Sequence, residues 1–231
     1  MKISPGPLNI YKCDRYMKLV IKIGGSLSMN KDGPKVNYFK KILPILKKID
    51  AKNQLILSIG GGKFVRKYYD VVKKFGISND KMEWIAVDML RANVRFLSFL
   101  MNKKPIFSLK ELKKNSDGII GGIKPGRSTD ANAAYAAKII KADMLIKLTN
   151  VDGVYDKDPN KFKHAKKIEH LTFRELADYI EEGKPGSYGI LDKLAIEIII
   201  KNRIRTIIMN GKNPENILKA LKGEKMGTLI D

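Results

Sequence analysis

Three glycine-rich turns, each directly after a short apolar run, carry the residue types that bind phosphate. The first is Lys22-Ile23-Gly24-Gly25-Ser26. A glycine pair lets backbone N–H groups approach an anion closely, and a following helix adds its positive end. Lys22 projects from the end of the run, where it can neutralise phosphate charge. The second turn is Gly60-Gly61-Gly62-Lys63, with Arg66 one helical turn beyond. Three consecutive glycines cost backbone entropy that an ordinary turn does not require. An arginine at that distance can fork onto phosphate oxygens. The third is Gly121-Gly122-Ile123-Lys124-Pro125-Gly126-Arg127-Ser128-Thr129-Asp130. It joins flexible backbone, two cations and two hydroxyls to a helix start, and Ser128, Thr129 or Asp130 also fits as the cap of that helix. A fourth segment, Thr149 to Pro159, is dense in turn formers. It offers polar groups, an aromatic ring and a proline-fixed acid, which suit a nucleoside. Any one of these reads equally as turn punctuation. Their succession at the ends of apolar runs is the stronger signal.

Other chemistries lack their residues. There is no G-x-x-x-x-G-K-[ST] sequence and no G-x-G-x-x-G after the first apolar run, which excludes a P-loop and the dinucleotide fingerprint. His164 and His170 have no partner at metal-ligand spacing, so no protein metal site is expected. No Ser/His/Asp set is present.

The elements that must hold these turns follow from periodicity. Leu19–Ile23, Gln54–Ile59, Gly118–Ile120, Asp143–Leu148 and Arg205–Met209 read as strands. Amphipathic stretches alternate with them: Val36–Ile49 with a kink or break at Pro44, Phe64–Phe75, Glu83–Met101, the alanine-rich Asp130–Lys141, Leu191–Lys201 and Pro214–Lys222. Thr172 and Glu175 have capping-box spacing. Strand–helix alternation predicts an α/β fold, a three-layer α-β-α sandwich around a mostly parallel sheet. Ligands of such sheets sit beyond the carboxyl ends of the strands, where the glycine turns fall.

The 231 residues suit a single α/β domain over residues 18–231, preceded by a segment, 1–17, that stands apart. Residues 1–16 read as a flexible extension or an upstream start before Met17. Lys+Arg exceed Asp+Glu by 45 to 24, a net charge of +21. The lysines are scattered over helical faces, without clustered base-stacking aromatics or a reading motif, so no specific nucleic-acid partner is expected. The single cysteine, Cys13, forms no internal disulfide. With no apolar leader and no run long enough to span a bilayer, the expectation is a cytoplasmic protein without a membrane partner.

Together these motifs resemble the amino acid kinase superfamily, and within it the archaeal type of uridylate kinase, over about residues 18–231. Thr149–Pro159 resembles its ATP-binding loop. Gly60–Gly62 with Arg66 and Tyr68 resembles G-G-G-x-x-x-R-x-Y, and Gly121–Ala134 resembles G-G-x-x-P-G-x-[ST]-T-D-A-x-A-A. Pro185–Ile198 resembles A-G-[ST]-x-x-x-x-D-x-L-A-x-x-I, and Arg91 with Asn93 an R-x-N near the acceptor.

The resemblance implies the amino acid kinase (carbamate kinase-like) fold, with an acceptor lobe over about 18–142 and an ATP lobe over about 143–231. It implies phosphorylation of UMP by ATP, with Mg²⁺ carried by the nucleotide. Lys22 would lie beside the transferred group, and Asp130 would orient the catalytic groups. Gly24, Gly25, Ser26, Gly62, Arg66, Thr149, Asn150, Asp152, Tyr155 and Asp158 would hold ATP. Gly61, Glu83, Arg91, Gly122, Ile123, Lys124, Pro125, Gly126, Arg127, Ser128 and Thr129 would hold UMP. A homo-oligomer, a hexamer in this type, is implied as well.

Departures from the pattern lie on the acceptor side. Glu83 replaces an aspartate that binds the nucleoside, Ile123 replaces a threonine, and Leu90 a threonine or serine. Trp84 and Ala86 break a usual pattern, and Arg127 adds a charge. The alternatives are a kinase of the same fold for another small phosphorylated acceptor, such as an aminomethylfuran phosphate, or a non-catalytic nucleotide-binding regulator. An isopentenyl phosphate kinase is disfavoured by the missing acceptor-side histidine. Lys22, Asp130 and the ATP-binding loop speak against the regulator.

Overall fold

The computed structural model describes residues 16–159, 161–180 and 190–231. In its first half, β1 (Lys18–Ile23), α1 (Gly25–Ser28), α2 (Val36–Asp50), β2 (Gln54–Ile59), α3 (Gly62–Lys73), α4 (Asn79–Met101), β3 (Pro105–Ile106) and β4 (Gly118–Ile120) follow one another. Then come α5 (Thr129–Ile140), β5 (Met144–Thr149), β6 (Val154–Tyr155), β7 (Lys167–Ile168), β8 (His170–Leu171), α6 (Phe173–Ala177), α7 (Lys193–Lys201), β9 (Thr206–Asn210), α8 (Glu215–Leu221) and β10 (Thr228–Ile230). The main sheet runs β3-β4-β2-β1-β5-β9-β10-β8. The strands from β3 to β9 are parallel, and β10 turns antiparallel against β9.

Strands covered on both faces must be apolar on both. β1 and β2 accordingly alternate between two cores. Leu19, Ile21, Ile23, Leu55, Leu57 and Ile59 pack with α2, α4 and α8. Val20 and Ile56 pack on the other face with α5, α6 and α7. The alanines of α5, from Ala131 to Ala137, are nearly all fully buried and let that helix lie close on the sheet. This is the three-layer α-β-α sandwich that the alternation predicts. The chain reverses its direction across the sheet at β1, which has β2 on one side and β5 on the other, so a crevice opens at their carboxyl ends.

Of the kink or break expected at Pro44, the break is absent. The α2 helix runs unbroken through Pro44. Pro44 sits on the solvated face, so the carbonyl it leaves without an N–H partner faces water. The capping box at Thr172 and Glu175 is present in full. Cys13 and residues 185–189 of the Pro185–Ile198 segment lie outside the described residues.

Candidate active site

Strand register decides where the charged residues point. Lys22 shares the parity of Val20, so it faces α5, and Lys147 shares the parity of Leu145 and does the same. The two lysines are paired across β1 and β5. Asp130, in the first turn of α5, lies between them. Its carboxylate is 3.0 Å from Lys22 Nζ and 2.8 Å from Lys147 Nζ. Lys147 also donates to the Ile190 carbonyl. Burial alone would raise the Asp130 pKa, but Lys147 and Lys22 outweigh it and hold the carboxyl at about 2. Burial lowers Lys147 to about 8, with Asp130 opposing the fall and Lys22 adding to it. The result is a charged triad on the floor of a trench of about 720 Å³.

The first two glycine turns form one wall by meshing backbone to backbone. A Cβ on Gly25 would lie 2.1 Å from the Gly62 nitrogen, and one on Gly62 would lie 2.2 Å from the Gly25 carbonyl oxygen. Gly24 donates its N–H to Leu148 at 2.9 Å, which ties the first turn to the end of β5. Close loop-to-loop approach is thus a reason for these glycines beyond reach toward an anion. Arg66 and Lys63 extend from this wall along the trench. Arg66 is exposed and has no ion pair with any described residue.

The third turn, residues 121–128, forms the opposite wall and is held from behind by α4. Asn132 Nδ2 donates to the Gly121 carbonyl at 2.8 Å. Arg91 Nη2 donates to the Ile123 carbonyl at 3.4 Å while Nη1 pairs with Asp88. Glu83 Oε2 accepts the Gly126 N–H at 2.5 Å. The Arg127 guanidinium stacks over the Tyr135 ring at 4.8 Å. Ser128 is the cap of α5: its Oγ accepts the Ala131 N–H at 2.9 Å and donates to Asp192. Asp192 in turn caps α7 through the Ala195 N–H at 3.0 Å. The N-termini of two helices are therefore joined cap to cap beside the triad.

The Thr149–Pro159 loop leaves the end of β5 and is pinned by the last strand. Thr228 Oγ1 accepts the Val154 N–H at 2.8 Å and donates to the Ile168 carbonyl at 2.5 Å, joining both arms of the β6–β7 hairpin to β10. Asn210 Nδ2 donates to Asp152 Oδ1 at 2.8 Å. Tyr155 lies 3.5 Å from the other Asp152 oxygen, and burial, then that carboxylate, raise its phenol pKa. The Asp158 carbonyl accepts the Lys161 and Phe162 N–H groups.

The trench gathers Lys22, Gly24, Gly25, Ser26, Gly61, Gly62, Arg66, Arg127, Ser128, Thr129, Asp130, Thr149 and Asn150. Other candidates stand outside its lining. Gly122 packs under Leu90, and Ile123 is 9% exposed with its side chain in the core. Glu83, Arg91, Lys124, Pro125 and Gly126 support or tip the loop. Asp152, Tyr155 and Asp158 lie farther along the Thr149–Pro159 loop. Three residues escape the motifs: Lys147, Asn210 and Thr228. Lys147 has a signal, since a lysine inside an apolar strand repeats the pattern of Lys22. Asp192 is the aspartate of the Pro185–Ile198 pattern, and it stands just before an apolar helix. Among the described residues no group of three or more His, Cys, Asp or Glu is placed to hold a metal ion. No described helix is long and apolar enough to cross a membrane.

Fold and trench define a class: an open α/β sandwich whose glycine turns and paired lysines meet at the switch point of a parallel sheet. The chain belongs to the amino acid kinase family, whose model matches residues 17–106 and 110–210. It is 36% identical over 224 residues to the uridylate kinase of Methanobrevibacter smithii, covering 93% of this chain and 99% of that protein. It is 37% identical over 226 residues to the uridylate kinase of Methanococcus aeolicus, covering 93% and 100%. The crystal structure of uridylate kinase from Archaeoglobus fulgidus superposes with a TM-score of 0.82 at 32% identity, over 93% of this chain and 100% of that one.

Proposed function

We propose that this protein transfers the γ-phosphoryl group of ATP to UMP, giving UDP and ADP. The observation that carries this reading is the Lys22–Asp130–Lys147 triad on the trench floor, with Thr149 and Asn150 on one side and Arg127, Ser128 and Thr129 on the other. Relatives named uridylate kinase, matched over nearly their whole length, support the choice of acceptor.

A UMP phosphate oxygen attacks the γ-phosphorus as the bond to the β,γ-bridging oxygen breaks, and ADP leaves with that oxygen. The attacking oxygen is already ionised near neutral pH, so no general base is required. Such transfer asks mainly for alignment and for neutralisation of charge on the moving group. Gly24, Gly25, Ser26, Gly62 and Arg66 would hold the ATP phosphates, and Thr149, Asn150, Asp152, Tyr155 and Asp158 its nucleoside. Gly61, Gly122 and residues 123–129 would hold the acceptor phosphate, with Arg91 supporting the loop. Lys22 and Lys147 would face the transferred group, held apart by Asp130. Mg²⁺ would enter with ATP and screen phosphate charge. Asp130 is already engaged by two lysines, so the ion's ligands on this reading are phosphate oxygens and water. We further infer a cytoplasmic homo-oligomer with no nucleic-acid partner. Exposed Tyr68 and Val71 on α3, with Phe75 just past its end, supply apolar surface for a contact between subunits.

The test is ADP release with UMP, CMP, AMP, GMP, isopentenyl phosphate and aspartate as acceptors. Strong turnover with UMP alone is expected. Turnover with another acceptor in preference to UMP, or with none, overturns the assignment.

A pH profile follows from Lys147. Its protonated form faces the transferred phosphoryl, so kcat/KM for ATP is expected to fall as pH rises past about 8. Stability moves the other way for this group. Between about 8 and the unfolded value near 10.4 the unfolded chain binds more protons, so the contribution of Lys147 to stability rises with pH. Activity should therefore fall across this window before any melting transition does. A kcat/KM profile flat to pH 10 contradicts the role.

A further inference from the structure

Glu83 lies near the start of α4 on the side that also carries Val87, Leu90, Arg91 and Val94, at helical spacings of three and four. That side is the backing of the acceptor loop: Gly121 packs against Val94, Gly122 against Leu90 and Val87, and the Ile123 carbonyl bonds to Arg91. Glu83 completes the row by accepting the Gly126 N–H at 2.5 Å. Gly126 turns the loop through a left-handed conformation, φ +69°, with nothing within 4 Å of the place a Cβ would occupy. Among the described residues, the carboxylate and the neighbouring Arg127–Tyr135 stack fix this tip. Glu83 does not line the trench, although Tyr69 and Arg127 do.

A bare carboxylate beside a loop that receives a phosphate would repel it. Bonded to a loop amide, the same carboxylate makes a charge-assisted clasp. Reach is decisive. An aspartate from the same backbone position is shorter by one C–C bond, about 1.5 Å. It would leave the oxygen about 4 Å from the amide, beyond hydrogen bonding.

We infer that Glu83 is a positioning residue that sets the acceptor loop by holding the Gly126 amide, and that it does not contact the acceptor nucleoside. This rests on the acceptor reading above and departs from the nucleoside contact that the resemblance implies for this position. Through Gly126 the clasp presents Arg127 and Ser128 to the acceptor phosphate.

The test compares wild type, Glu83→Asp and Glu83→Gln. Kinetics are measured with UMP and with dUMP, which lacks the 2′-hydroxyl, and amide exchange over residues 122–128 is followed in the unliganded protein. Glu83→Asp is expected to lose about tenfold in kcat/KM, the worth of one charged hydrogen bond, for both nucleotides alike. Loop exchange should quicken in the same variant. Glu83→Gln keeps the reach and an acceptor oxygen, so it should recover most of both losses. The UMP:dUMP ratio should stay constant throughout. A Glu83→Asp enzyme as active as wild type, or a ratio that collapses in Glu83→Gln, overturns the inference. If wild type phosphorylates neither nucleotide, the acceptor reading fails. The exchange comparison then decides the clasp alone, and equal exchange in wild type and Glu83→Asp overturns it.

Discussion

Lys22→Met is expected to lower kcat by roughly 10³-fold while leaving the fold in place. The lysine sits on the trench floor with an 8% exposed side chain, where a fixed charge acts with little screening by water. Removing one preorganised electrostatic group from such a site costs roughly 10²–10³ in rate. Lys22 carries a full charge, which puts it at the upper end. Methionine keeps the unbranched stem against the sheet. Asp130 is not orphaned, because Lys147 remains 2.8 Å away. Substrate KM values should move far less than kcat, since on the proposed reading Gly24, Gly25, Ser26 and Arg66 would still hold phosphate. Steady-state kinetics and a thermal melt check both halves. A loss in kcat of less than tenfold would remove Lys22 from the proposed chemistry.

Gly25→Ala should be as damaging for a different reason. The new methyl would meet the Gly62 nitrogen at 2.1 Å and its Cα at 2.6 Å. Both are backbone atoms that no rotamer change can clear. The two meshed turns must part, and with them the amides proposed to hold the ATP phosphates. Forcing a methyl into a closed contact costs about 1–3 kcal/mol. A displacement of about 1 Å at a reacting centre can cost roughly 10²-fold in rate. Near-complete loss of activity with a lowered melting temperature is expected. Gly126→Ala is the control. Its Cβ meets nothing, so the penalty is only that of the left-handed backbone, about 1–2 kcal/mol. Comparable activity in Gly25→Ala and wild type would mean that the meshed turns are not required.

Long elements with a clear period are legible in the sequence. The strands read at β2 and β4 coincide with the observed ones, and α2 and α5 differ by a residue at their ends. The α3 helix begins two residues earlier than its apolar pattern because glycine does not register as helix-forming. The α4 helix begins four residues earlier, at Asn79 behind Ser78, where the chemistry of a helix start precedes the apolar face. The two- and three-residue strands β3, β6, β7, β8 and β10 have no such pattern. Each exists through a distant partner rather than a local period, as β10 does against β9. The site divides along the same line. Lys22, the glycines and Asp130 announce themselves by standing at strand and helix ends. Lys147 lies within a strand, and its role depends on a register with β1 that only the folded sheet supplies. Glu83 stands out as a departure from the family pattern, but its bond to Gly126 spans 43 positions of chain and has no local signature.

The proposed reaction is tested most directly by following the γ-phosphoryl group itself. The protein is incubated with ATP labelled at the γ position, Mg²⁺ and UMP, and the labelled product is identified. UDP labelled at its β-phosphorus is expected, in one-to-one proportion with ADP, and no such product from Lys22→Met on the same timescale. Label appearing only as inorganic phosphate, or in an acceptor other than UMP when both are offered together, would contradict it.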